Sequence, residues 1–130
     1  MAFKIHTVDG GYIPGVEYLP AGAITPKVGM ALVMNSGNLA VCSGTTAPQY
    51  ISMCEHESAL TAGEVIPVIR AGKDVVFETT FSAAATSIKA GAKVTIATDG
   101  LQVTATTTDG VAEVVSMDGT AAGSTVRVRF

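Results

Sequence analysis

Part of this chain repeats itself, and the repeat limits what it can fold into. Gly29 corresponds to Gly91, Leu32 and Met34 to Val94 and Ile96, and Leu39 and Val41 to Leu101 and Val103, all at one offset. After a slip of two residues, Ala62-Gly63-Glu64-Val65-Ile66-Pro67-Val68 corresponds to Ala122-Gly123-Ser124-Thr125-Val126-Arg127-Val128. The recurring unit is a small residue, a glycine, two further residues and then alternating apolar positions, seen also in Lys89-Ala90-Gly91-Ala92-Lys93-Val94-Thr95-Ile96. Alternation with period two puts one apolar set on one face of a strand. The glycine ahead of it supplies the positive φ or close backbone approach needed where the chain turns into a sheet. A duplicated unit of this kind implies two similar β halves.

Each half contains a hairpin. Thr98-Asp99-Gly100 lies between alternating runs, and Asp-Gly there predicts a tight turn because both residues accept positive φ. In the first half a hairpin is expected over residues 30–41, turning at Asn35-Ser36-Gly37-Asn38. Residues 74–81 read as a long strand, and the Ala-rich residues 82–90 as one helical turn or a loose loop. Residues 125–130 alternate to the last position, and such a strand is expected to be paired inside a sheet. The fold class is therefore all-β, a small β-barrel or β-sandwich. Residues 28–130 form its single domain, with pseudo-repeats at about 28–70 and 90–130.

Residues 1–27 stand apart as an N-terminal lead. Gly10-Gly11, Pro14-Gly15, Pro20 and Pro26 interrupt any long strand or helix, yet the segment carries Tyr12, Ile13, Val16, Tyr18 and Leu19. An apolar but broken segment suits an arm lying across a surface, either the protein's own barrel or a neighbour's.

Composition narrows the functional classes. With 130 residues, 48% of them apolar and only 15% charged, the chain can bury one core without metals or disulfides. Eight Lys and Arg against eleven acids, with a pI near 5.2, lack the basic footprint of a nucleic-acid binder. The longest apolar run, residues 30–34, is too short to cross a bilayer, and Met1-Ala2-Phe3-Lys4-Ile5-His6 has no signal-peptide core. A soluble protein made without an ordinary export signal and without membrane attachment is expected. Cys42 and Cys54 read as two buried thiols rather than a disulfide framework.

Catalytic equipment is not legible. His56 stands between Glu55 and Glu57 just after Cys54, but strand neighbours point to opposite faces and the only other histidine is His6. A solvated turn is the expected reading of that cluster, with no metal and no cofactor. No nucleophile elbow and no phosphate-cradling glycine loop is present, and the acids Asp9, Glu17, Asp74, Glu78, Asp99, Asp109 and Asp118 mostly sit beside glycines or at strand edges, where turn-forming acids belong. With no Trp, a sugar-binding cleft is disfavoured. A β module of this kind is expected to work by surface recognition, not as an enzyme.

The residues also resemble a known family. Ala90-Gly91-Ala92-Lys93-Val94, Asp99-Gly100-Leu101-Gln102-Val103-Thr104, Gly110-Val111-Ala112 and the closing Thr125-Val126-Arg127-Val128-Arg129 resemble the C-terminal half of the small capsid decoration, or cement, proteins of tailed-phage heads. Gly63-Glu64-Val65-Ile66-Pro67-Val68 and Val75-Val76-Phe77-Glu78 are similar to the central strands of those proteins. The likeness covers residues 28–130 and stops before Gly29, where this chain has a longer lead. It implies a virion protein on the outer capsid surface, assembled in the host cytoplasm, binding the major capsid protein after shell expansion and often homotrimeric near three-fold positions. Two routes of attachment are open: an exposed strand edge extending a capsid sheet, or the lead lying over the shell with Tyr12, Ile13, Val16, Tyr18 and Leu19 as contacts. The second is the expectation, and its alternative is that these residues close the bottom of the barrel. The rival readings are another virion β module, such as a head-fibre base or tail component, and a bacterial carbohydrate-binding or adhesive module.

Overall fold

A computed structural model describes residues 2–130. The strands are β1 (Lys4–Val8), β2 (Glu17–Pro20), β3 (Ala31–Asn35), β4 (Asn38–Val41), β5 (Tyr50–Ser52), β6 (Val65–Arg70), β7 (Val75–Thr80), β8 (Lys93–Val94), β9 (Ala112–Met117) and β10 (Thr125–Arg129). They form two five-stranded antiparallel sheets, ordered β2-β6-β5-β3-β4 and β1-β7-β10-β9-β8, neither of them closed.

The duplication is visible in the hydrogen bonds. In the first half Gly29 N–H donates to Ser52 O, Ser52 N–H to Met30 O, Ala21 N–H to Glu64 O and Gly63 N–H to Ala21 O. In the second half Gly91 N–H donates to Val114 O, Val114 N–H to Ala92 O, Phe81 N–H to Ser124 O and Gly123 N–H to Phe81 O. A single parallel bridge joins Ala21 to Leu39 in one half and Phe81 to Val103 in the other, curling each sheet toward a barrel. Thus β2, β3, β5 and β6 are the counterparts of β7, β8, β9 and β10. Gly29 and Gly91 both take positive φ, 82° and 93°, which explains why the repeat keeps a glycine there.

The first hairpin turns where the sequence places it. Ser36 and Gly37 have φ of 52° and 86°, the pair of left-handed residues that lets two strands close through two residues. The second hairpin differs. Asp99 does not adopt positive φ; its Oδ1 accepts the Leu101 N–H at 2.9 Å, and Gly100 alone is left-handed. The tip is spent on tertiary contacts, with Ala31 N–H donating to Gly100 O and the Thr79 hydroxyl to Leu101 O. Strand β8 is consequently short, and Ile96 meets Val103 only through a bridge. Residues 82–90 make turns without helix, and Ala85 and Ile88 anchor them in the core.

Two cores result. Leu32, Leu39, Ile66 and Val68 centre a small one inside the first half, with Leu19, Ile24 and Met34 packed on it. A larger one joins the second half to the other face of the first sheet, through Phe77, Phe81, Val94, Val126 and Val128 with Ile51 and Ile69. Full burial of each such side chain contributes on the order of 1.5–3 kcal/mol. Strand β10 runs between β7 and β9, so the alternating C-terminal segment is central, as expected.

The lead does not stand apart. Strand β1 pairs with β7, with Ile5 opposite Phe77, and β2 pairs with β6, with Leu19 opposite Ile66. Phe3 is buried in the larger core, and its N–H donates to Gly29 O. Glycine and proline hide these strands from a sequence reading, but proline is tolerated on an edge strand whose N–H is not needed. Only the connection between the two strands behaves as an arm.

Candidate contact surface

Residues 9–16 cross from the edge of one sheet to the edge of the other. Both ends are pinned. Asp9 N–H donates to Asp74 O at 2.7 Å, and the Asp9 carboxylate lies 3.6 Å from the Arg129 guanidinium. At the far end Glu17 takes a bidentate pair from Arg70, at 2.7 and 3.1 Å, and Arg70 sits 5.7 Å from the Tyr50 ring centroid. A loop held at both ends loses less entropy on binding than a free tail, which favours its use as an anchor.

Between the pins the apolar side chains face solvent. Tyr12 is 84% exposed and Ile13 74%; Val16 and, on β2, Tyr18 are also exposed. Four of the five contact residues expected from sequence are therefore exposed, all within residues 12–18. Leu19 does not join them, because strand alternation turns it inward onto the first core.

The register extends this surface beyond the sequence reading. Tyr18 is opposite Pro67 and Pro20 is opposite Val65, which is exposed, so these residues share the outer face of the β2–β6 pair. Met53, also exposed, donates its N–H to Pro67 O and continues the face. It borders an apolar groove of about 280 Å³ between the sheets, lined by Phe3, Ile5, Val28, Ile51, Ile69 and Phe77 among others. The signal for Val65 and Pro67 was present in the sequence: Val65-Ile66-Pro67-Val68 is apolar on both faces, although one face of an edge region should be polar.

The two halves differ sharply at equivalent positions. Tyr18 opposite Pro67 corresponds to Glu78 opposite Arg127. On the second sheet these residues belong to a charge ladder. Glu78 lies 3.2 Å from His6 and 3.5 Å from Arg127, and Arg127 lies 2.9 Å from Asp118. The Arg127 guanidinium, by hydrogen bonding, holds the Asp118 carboxyl below the usual carboxylate range. Neither a family model nor a curated protein matches this chain. The comparison that bears on function is thus internal: one half has charge where the other has an aromatic ring and a proline.

The other singled-out residues lie elsewhere. His56 is exposed in an irregular segment, its N–H donating to Pro26 O. Among the described residues no group of three or more His, Cys, Asp or Glu side chains is arranged to hold a metal. Both cysteines are free thiols; Cys42 is buried, but Cys54 is only half-buried because β5 ends at Ser52 and the chain leaves the sheet there. Burial pushes the Cys42 thiol up to about 11. In the native protein at pH 8, iodoacetamide is expected to alkylate Cys54 first and to reach Cys42 only in denaturant, which peptide mass spectrometry would follow. Equal native labelling would contradict the burial of Cys42.

Proposed function

We propose that this protein acts by surface recognition, as a decoration protein that binds the major capsid protein on the outside of an expanded tailed-phage head. The observation that carries the reading is the group of exposed apolar side chains Tyr12, Ile13, Val16, Tyr18, Val65 and Met53, borne on the β2–β6 face and on the loop that leads into it, which is pinned at both ends. Exposed apolar residues grouped in this way mark interaction sites. The resemblance of residues 28–130 to cement proteins supplies the kind of partner. In this reading the protein is a virion component, needs no cofactor, and assembles as a homotrimer at subunit junctions of the shell.

Cementing asks little of one copy. A bound module that touches adjacent capsid subunits raises the cost of separating them, and many copies multiply the effect. The test is co-sedimentation of purified protein with expanded, undecorated heads, using unexpanded proheads as the control. Saturable binding to expanded heads alone is expected, and sedimentation equilibrium would give the oligomeric state. Binding to neither particle would overturn the reading.

A further inference from the structure

The internal repeat exposes a vacancy. In the second half, the outer edge of β7 is filled twice: Phe81 is bridged to Val103, and the earlier part of the strand is covered by β1 in antiparallel register, Lys4 opposite Glu78 and Val8 opposite Val75. In the first half, the outer edge of β2 is filled once. Ala21 is bridged to Leu39, with Gly22 N–H donating to Leu39 O, but no described strand lies beside residues 15–18, the counterparts of residues 75–78.

The backbone groups at this edge can be assigned. Pro67 has no N–H and its carbonyl accepts from Met53 on the β5 side, so Tyr18 opposite Pro67 is not a hydrogen-bonded pair. The bonded pairs are then Glu17 with Val68 and Leu19 with Ile66, and the Tyr18 N–H and C=O point outward. Glu78, the counterpart of Tyr18, points its own groups at β1 by the same alternation. Pro14 and Pro20 bracket the free stretch, and Pro20 offers no donor, so an incoming strand has few registers to choose from.

We infer that the free edge at residues 15–18, the approach to β2 and its first two residues, accepts an extended, antiparallel segment of the capsid subunit, in the way β7 accepts β1. This rests on the reading of the preceding section and deepens it by naming the mode of docking, strand addition. The occupant is a strand because the counterpart edge holds one. Its chemistry follows from the flanking residues: exposed Val16, Tyr18 and Val65 call for apolar or small side chains on the face turned toward them, where Glu78 and Arg127 on the second sheet call for charge.

The test compares Tyr18→Pro with Tyr18→Thr. Both remove the ring, but only the proline removes the outward N–H, which β6 does not use. Binding of Tyr18→Pro to expanded heads should be at least about tenfold weaker than that of Tyr18→Thr. Melting curves verify that both variants fold. In parallel, hydrogen exchange of the wild-type protein on expanded heads should slow at least about tenfold at the outward amides of Val16 and Tyr18, while Glu17 and Leu19, already bonded to β6, and the central strand β3 stay unchanged. The exchange result decides the matter if Tyr18→Pro does not fold. Equal binding by the two variants, or unchanged exchange at Val16 and Tyr18 on heads that do bind the protein, overturns strand addition and leaves the decoration role standing. Failure of the wild type to bind heads overturns both.

Discussion

Deleting residues 1–20 is expected to leave no cooperatively folded protein. The deletion removes Phe3, which is 2% exposed and stacks edge-on against Phe130 at 5.4 Å. Loss of a buried Phe side chain alone costs about 3–5 kcal/mol, a large part of the 5–15 kcal/mol typical of a whole domain. It also removes β1 and β2, stripping the edges of β7 and β6 and uncovering Ile66 and Val68 beside the missing Leu19. Bare strand edges next to exposed apolar faces pair with other chains. Circular dichroism on heating should show no sharp transition, and size exclusion should show aggregate. By contrast, replacing only residues 10–14 with a Gly-Ser linker should preserve the melting curve, since β1, β2 and both pinning acids remain. A monomeric deletion protein that melts sigmoidally would mean that the lead is dispensable for folding.

That expectation reverses what the lead suggests as a bare sequence, and the reason is physical. A strand announces itself through side chains that alternate against a core. Strand β1 lies on an edge with Lys4, Ile5, His6 and Thr7 all exposed or nearly so, and β2 carries a proline. Their stability comes from backbone bonds to β7 and β6, which leave no mark on composition. Where side chains do the specifying, the reading is accurate: the turn at Ser36-Gly37 follows from left-handed residues, the long strand β7 from an apolar run buried at Val75, Val76 and Phe77, and the central place of β10 from period-two burial. The duplication is legible because glycine and apolar positions recur. Its register is not, since the Asp99 side chain and the tertiary bonds of the second tip lengthen that turn. The contact surface is half legible. Tyr12, Ile13, Val16 and Tyr18 are conspicuous as apolar residues in a broken segment, whereas Val65, Pro67 and Met53 join them only through pairing.

Replacing Tyr12 and Ile13 together by alanine should separate the anchoring role of the loop from any role in folding. At 84% and 74% exposure the two side chains bury almost nothing in the free protein, so the melting temperature should not move by more than a degree or so. If they fill pockets on the capsid, each truncation costs about 2 kcal/mol, together about 4 kcal/mol, and the per-site dissociation constant on expanded heads rises about 10³-fold. Leu19→Ala supplies the converse. Leu19 packs on the first core, so its loss should lower the melting temperature, at a cost of about 2 kcal/mol, while the folded fraction binds heads with nearly the wild-type constant. The pair of variants tests the division of labour between neighbouring residues of one segment: side chains between the pins for the partner, and the inward residue of β2 for the core. If Tyr12→Ala with Ile13→Ala binds as the wild type does, the anchor lies instead on the Tyr18–Pro67 face, where the two halves of the repeat have diverged.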